Sequence, residues 1–152
     1  MILCLNASNC PIKRGKGFNV KYLLDTNMCI YIINKNPKNV LAHFERYTVG
    51  DLCVSTVTTS ELYFGVFNSS KVDQNMAALN EFLLSFSILP FSNEAAVIYG
   101  KLRAELSKTG MLIGNMDLMI AAHALSLKLP IVTNNTREFI RIPHLVVEDW
   151  TR

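Results

Sequence analysis

Three short apolar runs in this chain each pass through a few polar residues into residues spaced for a helix, and that order narrows the possible folds sharply. Lys21-Tyr22-Leu23-Leu24 reads as a strand running into Asp25-Thr26-Asn27 and then a helical stretch from Met28 to Asn34. Leu52-Cys53-Val54-Ser55-Thr56-Val57 is a β-branched run that leads into Thr58-Thr59-Ser60-Glu61 and a helix. Leu129 to Thr133 reads as a buried strand followed by Asn134-Asn135-Thr136-Arg137-Glu138-Phe139, a short helix. Between these units Asn36-Pro37 opens a helix to about Tyr47, and Val72 to Leu84 and Asn93 to Lys108 carry helical spacing on either side of an apolar strand, Phe86 to Phe91. Gly114-Asn115-Met116-Asp117 opens the alanine-rich helix Leu118 to Leu127, and a last strand is expected around Leu145-Val146-Val147. Strands alternating with helices predict a parallel sheet with helices on both faces.

The chain has 152 residues, half of them hydrophobic and only 18% charged, so it is long enough to bury a core and too apolar to be disordered. Its net charge of +3 is compatible with a phosphate-bearing partner without predicting one. Cys4, Cys10, Cys29 and Cys53 form no C-x-x-C pair and have no histidine at zinc-finger spacing, so they are expected to be reduced, mostly buried thiols of a cytoplasmic protein. No apolar run approaches the ~18 residues that cross a bilayer, and no signal-peptide pattern is present. Met1 to Asn19, with Pro11 and the basic run Lys13-Arg14-Gly15-Lys16-Gly17, is expected to be a flexible leader or the product of an upstream start codon. Residues 20 to 152 are expected to form one domain.

In open α/β sheets the functional crevice lies beyond the carboxyl ends of the strands, where Asp25 falls directly after Leu23-Leu24. Each acid also has a plain structural explanation. Asp25 suits a helix N-cap, Thr58-x-x-Glu61 has the form of a capping box, and Asp117 near a helix start is favourable by roughly 0.3 to 1 kcal/mol. In combination the three point elsewhere: acids at helix entrances, two of them after strands expected side by side, repel one another unless a hard cation such as Mg²⁺ or Mn²⁺ is bound. A cation held in that way supports phosphodiester hydrolysis.

LLDTN at 23–27, SELYFGV at 60–66, IGNMDLMIAAHAL at 113–125 and VTNNTREF at 132–139 resemble the PIN-domain family, and more narrowly its VapC-type toxins. The resemblance extends from residue 20 to the closing Val147-Glu148-Asp149-Trp150. It implies a three-layer α/β/α sandwich with a central parallel sheet and a Mg²⁺- or Mn²⁺-dependent endoribonuclease. It also implies a structured RNA substrate, often tRNA cut in the anticodon region, a VapB-type antitoxin and a homodimer. Matched position by position, the family's acids fall on Asp25, Glu61 and Asp117. The fourth acid of the family, an Asp in a T-x-D pattern, falls on Asn135 of Thr133-Asn134-Asn135, which offers a carbonyl oxygen but no charge. One tightly held ion is therefore expected, with Glu138 as a candidate substitute and the Thr133 hydroxyl close to the carboxylates.

Arg137 and Lys35 are the candidate RNA-phosphate contacts among basic residues that otherwise read as solvated helix faces. His123, six residues after Asp117, does not share its helix face at ligand spacing and reads as structural. Tyr31, Phe64, Phe67 and Phe82 are expected mainly in the core, with any exposed ones available for a dimer face or antitoxin groove. Two other functions fit parts of the pattern. A catalytically silent PIN-like binding module would accommodate Asn135, and a phosphatase could use Asp25 as nucleophile, although Asn27 stands where D-x-D needs its second acid.

Overall fold

A computed structural model of the chain describes residues 20–152, so the expected leader, with Cys4 and Cys10, lies outside the described residues. The strands are β1 (Tyr22–Leu24), β2 (Leu52–Ser55), β3 (Ser87–Leu89), β4 (Ile131–Val132) and β5 (Val147–Glu148). The helices are α1 (Thr26–Ile33), α2 (Lys38–Phe44), α3 (Thr56–Phe67), α4 (Val72–Leu83), α5 (Asn93–Thr109), α6 (Asn115–Leu127) and α7 (Thr136–Phe139). All strand pairs are parallel, in the order β3-β2-β1-β4-β5, with Leu24 opposite both Val54 and Val132.

The sheet is covered on both faces because its central strands carry consecutive apolar residues, Leu23-Leu24, Leu52-Cys53-Val54 and Ile131-Val132, and alternate residues point to opposite sides. Leu24, Leu52, Val54 and Val132 join Met28, Ile32, Val40, Leu79 and Phe82 from α1, α2 and α4 in one core. Leu23, Cys53 and Ile131 join Leu102, Leu106, Leu118, Ala121 and Phe139 from α5, α6 and α7 in the other. Cys29 and Cys53 are buried free thiols. No helix of the described residues is long and apolar enough to cross a membrane.

Several element ends differ from the sequence expectation for local reasons. The second strand stops at Ser55, and Thr56-Val57 begin α3, because the Ser55 hydroxyl accepts from the Val57 N–H at 3.0 Å and caps the helix. The expected capping box of Thr58 and Glu61 therefore does not form, and Glu61 sits in the second turn of α3 instead of at its entrance. The third and fourth strands are shorter than the apolar runs that contain them, and the last is shifted to Val147–Glu148. Phe64 and Phe67 are not core residues: they stand on the outer side of α3, 69% and 66% exposed.

Helix α6 ends at Lys128 in a left-handed conformation, φ 56°. For a residue with a Cβ that backbone costs roughly 1 kcal/mol. Lys128→Gly is expected to stabilise the fold by about 0.5–1 kcal/mol in urea titration; a destabilised variant would show instead that the lysine side chain holds the turn.

Candidate active site

The strand order places β1 beside β4, and chain connections leave these two neighbours toward opposite edges of the sheet. Such a switch point opens a crevice at the carboxyl ends of the strands. Asp25 follows β1 into that crevice and Thr133 follows β4. Asp25 is only 2% exposed. Its Oδ1 caps α1 by accepting from the Met28 N–H at 2.9 Å, and its Oδ2 accepts from the Thr133 hydroxyl at 2.5 Å. Thr133 Oγ1 in turn accepts from the Asn135 N–H at 3.0 Å. The cap anticipated for Asp25 is thus real, yet it occupies one lone pair of one oxygen and leaves the carboxylate facing its acidic neighbours.

Asp117 lies in the first turn of α6, and its Oδ2 accepts from the Asn135 side-chain amide at 3.2 Å. Glu138, on α7, lies close enough for its charge to raise the Asp117 pKa, and it accepts from the Gly114 N–H at 3.5 Å. Glu61 reaches the same region from α3 and accepts a hydrogen bond from Thr26 of α1. Asn135, the residue in place of the fourth acid, holds one carboxylate by donating to it, and Glu138 brings a further carboxylate from one turn along the chain. Thr26 carries a role that sequence reading missed; its place directly after Asp25 was the available signal.

Burial pushes the Asp25 carboxyl up to about 6, against the opposing pull of the Thr133 and Met28 hydrogen bonds, and the charges of Asp117 and Glu61 add to the rise. Asp117 is also pushed up to about 6, first by burial and then by the charges of Glu138 and Glu61, with the Asn135 hydrogen bond acting in the other direction. The ion pairs among the described residues, Lys21 with Asp51 and Arg152 with Asp149, involve none of these acids. Acids that raise one another's pKa without a basic partner are what a divalent cation would relieve, and their hard oxygen donors suit Mg²⁺ or Mn²⁺. Among the described residues no three acid, imidazole or thiol groups are already closed on a single point, so any such ion would have to draw the carboxylates in.

Arg137 lies on α7, exposed, one residue before Glu138. Lys35 lies just past the far end of α1 from Asp25, exposed, so the structure does not bring it to the acids. The Tyr31 hydroxyl accepts from the Asn134 side chain at 2.8 Å and ties α1 to the loop after β4.

An all-parallel α/β sheet whose switch-point crevice is lined by carboxylates, each held by a hydroxyl or amide, defines the class of this molecule. The PIN-domain family model matches residues 22–145. Ribonuclease VapC2 of Rickettsia felis is 42% identical over 132 residues, 86% of this chain and 98% of the relative. The tRNA(fMet)-specific endonuclease VapC of Salmonella typhimurium is 40% identical over 131 residues, with the same shares covered. In the crystal structure of DNA-bound VapBC from Salmonella typhimurium, one chain superposes with a TM-score of 0.82 at 39% identity, covering 86% of this chain and 98% of that one. The chain belongs to the PIN-domain family, in its VapC ribonuclease branch.

Proposed function

We propose that this protein is a Mg²⁺- or Mn²⁺-dependent endoribonuclease toxin that cuts a structured RNA, a tRNA in its anticodon region, and is neutralised by a VapB-type antitoxin. The observation that carries the chemistry is the set of mutually repelling acids at the switch point, Asp25 buried and Asp117 and Glu61 half-buried, with Asp25 and Asp117 both pushed up to about 6 and, among the described residues, no basic side chain paired with them. In this reading Asp25, Asp117 and Glu61 hold the ion, and Asn135 orients Asp117. Glu138 supplies the charge that Asn135 lacks. Once bound, the cation supplies Lewis acidity to the scissile phosphate and to the water that attacks it. Thr133 and Thr26 keep Asp25 and Glu61 aimed into the crevice. Arg137, exposed on the same short helix as Glu138, is the better placed phosphate contact, and Lys35 would reach only RNA that extends past α1.

The choice of tRNA is supported by the Salmonella relative's name, and the antitoxin by solved VapBC complexes of similar chains. A groove of about 250 Å³ between α1, α3 and α4, lined by Ile30, Ile33, Leu62, Val66 and Leu79, runs to Glu61. It offers an antitoxin segment an apolar seat ending at an acid. A protein that acts on tRNA works in the cytoplasm, and a homodimer would cover the exposed Phe64 and Phe67.

The test is incubation of purified, antitoxin-free protein with total cellular RNA, with Mg²⁺ or Mn²⁺ and with EDTA, cut sites being mapped by sequencing the new ends. Cleavage confined to one tRNA species and abolished by EDTA is the expected result. Absence of cutting by folded protein would favour a silent binding module, and cutting in EDTA would remove the ion from the chemistry.

A further inference from the structure

No loop separates β2 from α3: the strand ends at Ser55 and the helix begins at Thr56. Glu61 lies six residues along that helix, roughly 9 Å from Ser55 at about 1.5 Å per residue. Over that arm a tilt of about 6° at the junction moves the Glu61 backbone by about 1 Å, a displacement that can cost on the order of a hundredfold in rate. The direction in which α3 leaves the sheet is therefore a variable of the active site.

The junction is held from outside α3 by α6. Ser55 is fully buried and His123 is 1% exposed, and His123 Nδ1 lies 2.9 Å from Ser55 Oγ. Because Ser55 Oγ already accepts from the Val57 N–H, its own proton is free to be donated to Nδ1. Burial pushes the His123 pKa down, which keeps the ring neutral and Nδ1 able to accept. The edge of the ring meets Phe91, whose backbone N–H donates to Thr56 Oγ1 at 3.1 Å, a second tie on the first residue of α3.

His123 is surrounded on its own helix by Ala121, Ala122 and Ala124, all fully buried. Leucine would fill such a place without the desolvation cost of an imidazole, so what the histidine contributes there is one directional bond. We propose that His123 is a positioning residue of the active site: through Ser55 it fixes the β2–α3 junction against α6, and so sets the separation between Glu61 on α3 and Asp117 on α6. The proposal rests on reading these acids as a metal-holding set.

Its test uses His123→Leu, which keeps bulk without an acceptor, and His123→Asn, whose amide can reach the place of Nδ1. Ser55→Ala and the Ser55→Ala/His123→Leu double variant complete the set. Mn²⁺ affinity by calorimetry and kcat and KM on the cleaved RNA are measured well below each variant's melting temperature, with Asp25→Asn as the non-binding control. His123→Leu and Ser55→Ala are each expected to weaken Mn²⁺ binding and lower kcat by about tenfold, with KM unchanged. The double variant is expected to be no worse than the poorer single one, and His123→Asn to recover most of both losses. A folded His123→Leu with native Mn²⁺ affinity and kcat overturns the proposal, as do fully additive losses. If His123→Leu does not fold, Ser55→Ala and His123→Asn decide by the same readouts. Native protein that neither binds Mn²⁺ nor cuts RNA would overturn the metal-site reading itself, an outcome distinct from unchanged variants of an active enzyme.

Discussion

Asp25→Asn is expected to lower metal-dependent RNA cleavage by on the order of 10³-fold while making the metal-free protein more stable at neutral pH. Asparagine preserves the α1 cap, since its carbonyl oxygen can still accept from the Met28 N–H, and it removes the charge. In the metal-free fold the Asp25 carboxyl is pushed up to about 6 from an ordinary 3.8. The folded state therefore binds more protons than the unfolded state between those values, and stability falls as pH rises through that window. Above it the full penalty stands, on the order of 2–3 kcal/mol for a shift of about two units. Asp117 acts in the same direction. Metal-free native protein should melt higher at pH 5 than at pH 7.5, and Asp25→Asn should lose most of that difference. Mn²⁺ should raise the melting temperature of the native protein at pH 7.5 and leave the variant unmoved. A variant that still cuts RNA would take Asp25 out of the chemistry, and one that melts well below native at pH 7.5 would show that the carboxylate is favourable where it is.

The largest loss of stability without loss of chemistry is expected at Trp150. The residue is 2% exposed and closes the core beneath α2: its ring stacks on Tyr47 at 5.3 Å and on His43 at 5.6 Å, and meets Tyr22 edge-on at 5.9 Å. Its indole N–H donates to Glu148 at 3.3 Å, the carboxylate that also accepts from the Tyr22 hydroxyl at 3.0 Å. Trp150→Ala leaves a cavity among three rings and should cost about 3–5 kcal/mol, or a melting temperature lower by on the order of 10 °C. Trp150→Phe should restore part of it by refilling the stack. Because none of these side chains belongs to the acid set, cleavage by Trp150→Ala at a temperature where it stays folded should match the native rate. A melting temperature within experimental error of native would show that the aromatic cluster rearranges to fill the space.

What could be read from the chain alone was what depends on local spacing. Leu23 and Leu24, Cys53 and Val54, and Ile131 and Val132 are apolar on both faces of their strands, which already implied a sheet buried between two helical layers. The acids at 25, 61 and 117 were legible as candidates because they sit within the short motifs LLDTN, SELYFGV and IGNMDLMIAAHAL that carry the resemblance. The end of β2 was misjudged because Thr56 and Val57 have strand propensity; the Ser55 cap that starts the helix there is local, but the Phe91 and His123 contacts that hold it come from 35 and 68 residues along the chain. Phe64 and Phe67 looked like core for a similar reason: hydrophobicity is a property of the residue, whereas exposure depends on which side of α3 is left uncovered.

The sequence by itself determined the alternation of strands and helices and the two-sided burial of the sheet, and it singled out the candidate acids, because each follows from residue type, spacing and short motifs along a few turns. Only the tertiary structure decided that Asp25 is held by Thr133, just past β4 and 108 residues away, that the charge of Glu138 falls on Asp117 beside Asn135, and that His123 reaches Ser55 across 68 residues. These contacts arise from the order in which strands pack and the angle at which helices leave them. Both are set by burial summed over the whole molecule, which no local pattern encodes.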